Sequence, residues 1–99
     1  MLHIVNKSPF ERNALDSCLR FGRKGSSVLL IEDGVYAATR GNVAEPKIKA
    51  ALDQMKIYAL RPDLEARGMQ DAVMAGIELV DYGGFVDLVT GHTTVQSWL

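Results

Sequence analysis

The side chain best equipped for chemistry in this sequence is the thiol of Cys18, the single cysteine among 99 residues. Sulfur attacks as a thiolate, and a thiolate needs exposure, positive neighbours or a helix N-terminus. Arg20, Arg23 and Lys24 are near in sequence and raise the local potential. Against this, Cys18 falls on one apolar stripe with Ala14, Leu15, Leu19 and Gly22, at the spacing of one helix face. It also sits at least two turns inside that helix, where the N-terminal dipole has faded. Free cysteine is among the residue types most often buried. The packing role therefore stands ahead of the reactive one, with Cys18 kept as the candidate catalytic residue.

The other chemical candidates are thinner. Gly22-Arg23-Lys24-Gly25-Ser26-Ser27 looks like a phosphate loop, but its spacing is wrong and it follows a helix and opens a strand. A phosphate loop does the reverse, so a polar helix stop is expected. Glu32-Asp33-Gly34 ends an apolar run, at the strand end where open α/β sheets place ligands. A carboxylate pair there is suited to acid–base work. The stronger reading has Asp33 capping the next helix and Gly34 allowing a tight turn. Asp81-Tyr82-Gly83-Gly84 reads the same way, as a capped turn from strand to helix. His3 is expected in the core or at a sheet edge, His92 in a loop, and Trp98 as a core plug or an interface anchor.

Composition narrows the classes. One cysteine excludes an internal disulfide and any Cys-x-x-Cys motif, and with two histidines it cannot build a Cys/His zinc site in one chain. Eleven basic residues against twelve acidic ones give a net charge of −1. That supplies no global field for nucleic acid or an anionic membrane. No metal or cofactor is expected. The opening Met1-Leu2-His3-Ile4-Val5-Asn6-Lys7 has no basic stretch followed by a long apolar one, so it does not read as a signal peptide, and a soluble intracellular protein is expected.

The elements that must hold these residues alternate. Leu2–Val5 is a strand, and Ser8-Pro9-Phe10-Glu11 opens a helix with a cap, a proline and a capping-box glutamate. The helix ends over Gly22–Gly25. Ser27–Ile31, with four consecutive large apolar residues, reads as a strand buried on both faces. Val35–Ala38 suggests a short helix, Pro46–Met55 another, and Lys56–Leu60 a third strand. Pro62–Arg67 is a helix stopped by Gly68, Ile77–Val80 a fourth strand, and Asp81 the cap of a helix carrying Phe85, Val86, Leu88 and Val89. Thr93–Leu99 is a terminal strand. This alternation predicts one α/β domain over residues 1–99, a three-layer α/β/α sandwich on a mostly parallel sheet of about five strands. Several helices span only one or two turns, too little to cover both sheet faces, so an oligomer is expected.

The chain also resembles the DsrH/TusB family, over nearly its full length. The resemblance rests on Met1-Leu2-His3 and Asn6–Phe10, on Leu29–Ala38, and on Tyr58-Ala59-Leu60 with Asp63-Leu64 and Ala66-Arg67-Gly68. It extends to Val80-Asp81-Tyr82, Phe85-Val86 and the ending Val95-Gln96-Ser97-Trp98. It implies a cytoplasmic sulfur-relay complex, a heterohexamer with DsrE/TusD-like and DsrF/TusC-like subunits. Such a complex passes persulfide sulfur to a DsrC/TusE-like carrier, for 2-thiolation of the tRNA wobble uridine or for dissimilatory sulfur oxidation. The main active cysteine of these complexes belongs to the DsrE/TusD-type subunit. This chain would then be a structural or docking subunit, with a persulfide on Cys18 as the alternative and a small-ligand module at Asp33 and Asp81 as a weaker one. Cys18 and the stretch Asn6–Asn13 look more DsrH-like than TusB-like, which leaves both pathways open. With a balanced charge and no aromatic-interleaved basic patch, neither direct nucleic-acid binding nor a membrane is expected, and exposed interface surface makes homo-oligomers of the isolated chain plausible.

Overall fold

A computed structural model describes residues 1–9, 14–22 and 24–98 of the chain. Strands and helices alternate as β1 (Leu2–Val5), α1 (Ala14–Phe21), β2 (Ser27–Leu30), a 3₁₀ helix (Glu32–Ala38), α2 (Glu45–Ala51) and β3 (Lys56–Leu60). They continue as α3 (Arg61–Ala66), a 3₁₀ turn (Gln70–Ala72), β4 (Glu78–Val80), α4 (Tyr82–Gly91) and β5 (Val95–Trp98). The five strands form one sheet in the order β4-β3-β2-β1-β5. Every neighbouring pair is parallel, so the sheet is wholly rather than mostly so.

The winding produces the layers. Three connections carry the chain one way across the sheet, and the fourth returns it past β1 to β5. With right-handed crossovers, the first three place their helices on one face and the fourth places α4 on the other. Side chains alternate along each strand accordingly. Val5, Val28, Leu30, Ile57 and Ala59 share one core cluster with Leu15 and Cys18 of α1, Ile48 of α2 and Leu64 of α3. The alternate positions Leu2, Leu29 and Leu60 are also buried, on the α4 side. β2 is buried at all four positions, as its unbroken apolar run requires.

Local chemistry differs from expectation in places. The helix expected over Pro46–Met55 is shorter, because Leu52–Gln54 turn the chain so that Met55 is buried before β3 begins. The capping-box reading falls on Phe10 and Glu11, which with Arg12, Asn13, Arg23 and Leu99 lie outside the described residues, while Pro9 stands in a turn. Asp33 does not cap the following helix: it lies inside the 3₁₀ helix, whose N-cap is Ile31 without a side-chain bond. Gly34 is required by space rather than by φ. A Cβ there would run into the carbonyl oxygen of Val5 and stand 3.0 Å from its carbonyl carbon. Asp81 does cap α4, its Oδ1 accepting the Gly84 N–H at 2.8 Å. No described helix is long and apolar enough to cross a membrane.

Candidate functional site

Cys18 sits on the sheet-facing side of α1 with 0% of its surface exposed. The helix places it there because Ala14, Leu15 and Cys18 follow the i, i+1, i+4 spacing of a buried stripe. Removal from water penalises the thiolate and pushes the thiol up to about 12. In this arrangement Cys18 packs in the core cluster as a small apolar side chain. Arg20 is exposed on the other side of the helix and does not offset that cost.

A groove of about 510 Å³ opens between α1 and α2, lined by Leu19, Ala50, Ala51 and Met55. Lys47 of α2 bridges its mouth to Asp16 of α1, Nζ to Oδ1 at 2.7 Å. Cys18 does not line it.

A second group of polar side chains gathers at the C-terminal ends of β2 and β3. The Glu32 N–H donates to Asp63 Oδ2 at 2.6 Å, and Glu32 adopts a φ of +50°. Arg67, after α3, donates from Nη2 and Nε to Asp33 Oδ1 at 2.9 and 3.2 Å, and from Nη1 to the Asp63 carbonyl at 3.0 Å. Its guanidinium lies 6.0 Å from the Tyr36 ring centroid, and the Asp33 carboxylate raises its pKa further. Of the Glu32-Asp33 pair, the Asp33 carboxylate is ion-paired and Glu32 is tied to α3 through its backbone N–H, so both residues fasten one loop. Sequence reading missed Arg67 and Asp63; the helical spacing of the two was a visible signal, but their meeting with Asp33 depends on β2 and β3 being neighbours.

Asp33 and Asp81 are not brought together, since β3 lies between their strands. The connections after β3 and β4 leave toward opposite faces, and a cleft of about 350 Å³ opens there, lined by Arg61, Glu78, Leu79, Val80, Asp81 and Gly84. Open parallel sheets bind ligands at such a divergence. Asp81 is engaged as the α4 cap, and the lining contains neither histidine nor cysteine. Among the described residues, no group of three His, Cys, Asp or Glu side chains could hold a metal.

The remaining feature is α4 itself. Gly84, Phe85, Leu88 and Val89 turn inward and are half-buried, whereas Tyr82 and Val86 are 62% and 57% exposed. Every residue of this apolar helix keeps contact with solvent.

The chain matches the family described as "DsrH like protein" over residues 7–95. It belongs to the DsrH family. Full-length relatives agree: proteins named TusB from Pectobacterium parmentieri and Escherichia coli K12 are each 37% identical over 98 residues, covering 99% of this chain and 100% of theirs. Solved structures share the fold. The YchN protein of E. coli superposes with a TM-score of 0.78 at 16% identity, over 97% of both chains. A protein of unknown function from Methanobacterium thermoautotrophicum gives 0.76 at 19% identity, over 97% of this chain and 95% of the other. The DsrH family and its α/β fold are therefore those that the sequence resemblance implied.

Proposed function

We propose that this chain is a structural, partner-docking subunit of a cytoplasmic sulfur-relay complex. Its partners would be DsrE/TusD-like and DsrF/TusC-like subunits, and the complex would hand persulfide sulfur to a DsrC/TusE-like carrier. The sulfur serves tRNA wobble-uridine thiolation or dissimilatory sulfur oxidation. In each transfer the thiolate of the acceptor attacks the terminal sulfur of the donor's persulfide. The donor S–S bond breaks, and the donor leaves as a thiolate.

The observation that carries this reading is the contrast between Cys18 and α4. The one thiol is buried and held protonated, while an apolar helix presents Tyr82 and Val86 to solvent. Exposed aromatic and apolar side chains of this kind suit an interface core. The exposed apolar side chains of α4 support the docking role; carrying sulfur on Cys18 does not fit a buried thiol.

Reconstitution with the partner subunits tests it. Sulfur loaded by a cysteine desulfurase would be followed to the carrier by intact-mass spectrometry. A double Tyr82→Asp, Val86→Asp variant should fold normally, fail to co-assemble and lower sulfur flux. Cys18→Ala should leave flux unchanged and acquire no sulfur. Full flux from the two partner subunits alone overturns the docking role. An added sulfur atom on wild-type Cys18, absent from the variant, replaces it with the carrier role.

A further inference from the structure

The geometry points to a pH-sensitive latch between the first and last strands, made by His3 and Trp98. The indole Nε1–H of Trp98 donates to His3 Nδ1 at 3.0 Å, joining residues 95 positions apart in the chain. The ring centroids stand 6.0 Å apart with planes tilted by 38°. An indole N–H can only donate, so His3 Nδ1 must present a lone pair, and the neutral ring carries its proton on Nε2. Protonation of Nδ1 would set two N–H groups against each other, and the bond is lost. The contact is therefore conditional on a neutral imidazole.

The surroundings make that condition strict. His3 is 2% exposed. Burial lowers its pKa, and the α-ammonium of Met1 lowers it further. The flanking strands β2 and β5, Ser-Val-Leu-Leu and Val-Gln-Ser-Trp, carry no titratable side chain. α1, which packs on both β1 and β5, turns the neutral Cys18 inward, ties Asp16 to Lys47 and exposes Arg20. Among the described residues no carboxylate is placed to favour the imidazolium.

What the latch holds is an edge strand of the sheet. β5 is a sheet edge, paired only with β1, and Val95, Gln96 and Ser97 are all exposed. Opening β5 returns His3 to water, where its pKa is about 6.5. The sign follows. The open state binds a proton more readily than the closed one, so opening is suppressed above about pH 6.5. It rises by up to about tenfold per pH unit below that, until the closed state also protonates. β5 follows α4 through His92–Thr94, so release of the strand also frees one end of that helix.

The test is NMR on the full-length chain, where the one tryptophan gives one indole signal. At pH 7.5, the ¹⁵N shifts of His3 should report the Nε2–H form. Below about pH 6.5, amide exchange at Gln96–Trp98, corrected for intrinsic chemistry, should accelerate up to tenfold per pH unit while β2 amides stay protected. His3→Gln cannot titrate and its amide oxygen still accepts from the indole, so the acid acceleration should vanish. His92→Gln should retain it. A proton on Nδ1 at neutral pH, an absent inflection, or one that persists in His3→Gln overturns the proposal. If His3→Gln does not fold, the tautomer of the wild-type ring still decides.

Discussion

Arg67 and Asp33, separated by 34 positions in sequence, share a forked contact in which Nη2 and Nε of the guanidinium both donate to one carboxylate oxygen. The same guanidinium bonds the Asp63 carbonyl, while the Asp63 carboxylate holds the Glu32 N–H. Together they fasten the loop after β2 to the helix after β3, and they keep Glu32 at its unfavourable φ of +50°. The Asp33 side chain is 50% exposed, so the ion pair alone contributes little. Arg67→Ala also loses a backbone bond and the Tyr36 contact, and should cost about 1–2 kcal/mol. Asp33→Asn should cost under about 1 kcal/mol. Urea denaturation of the single and double variants should show a coupling of less than about 1 kcal/mol.

Gly34 marks the tightest approach among the glycines, where the 3₁₀ helix crosses the end of β1 against the Val5 carbonyl. Backbone cannot move aside as a side chain does. Gly34→Ala should therefore destabilise by about 3 kcal/mol or more, read as a lower denaturation midpoint with an unchanged slope. Gly91 is the contrasting case, since a Cβ there meets nothing within 4 Å. Gly91→Ala at the end of α4 should be neutral or stabilise by up to about 1 kcal/mol.

These cases show what the sequence made legible. The unbroken run Val28-Leu29-Leu30 announced a strand buried on both faces, and Asp81 announced a helix cap, because both signals are local. The Asp33 role was misread because its partner, Arg67, comes near only when β2 and β3 pair side by side. Gly34 looked like a turn glycine because a close approach from β1 leaves no mark within the Glu-Asp-Gly triplet. The His3–Trp98 bond joins opposite ends of the chain and has no sequence signal beyond the two residue types. The apolar stripe did predict the packing of Cys18, since helix periodicity fixes which side faces the sheet.

Asp81 has one identified task, accepting the Gly84 N–H at the start of α4. Asp81→Ala should cost about 1 kcal/mol, and Asp81→Asn much less, because an amide oxygen accepts the same bond. If the cleft beside it held an anion-binding or acid–base site, Asp81→Asn would change ligand binding more than stability. The expected result is the opposite, a stability effect from Asp81→Ala alone, measured by thermal denaturation.

Cys18 gives the last prediction, because its burial and its chemistry can be read in one experiment. At pH 8 a thiol held at about 12 is ionised roughly a thousandfold less than one at its ordinary value of 9.0. Native protein should therefore react with an aromatic disulfide reagent at least about a thousandfold more slowly than the urea-unfolded chain. The sign also fixes the pH window. The folded state favours the protonated thiol, so its contribution is complete below about pH 9 and fades as pH rises toward 12. Cys18→Ala should cost about 1–2 kcal/mol for lost packing, and Cys18→Ser about 1–3 kcal/mol, because a hydroxyl in this apolar cluster needs a partner. Fast labelling of the native protein at pH 8 would mean that α1 lifts from the sheet often enough to expose Cys18. The packing account of this residue would then fail.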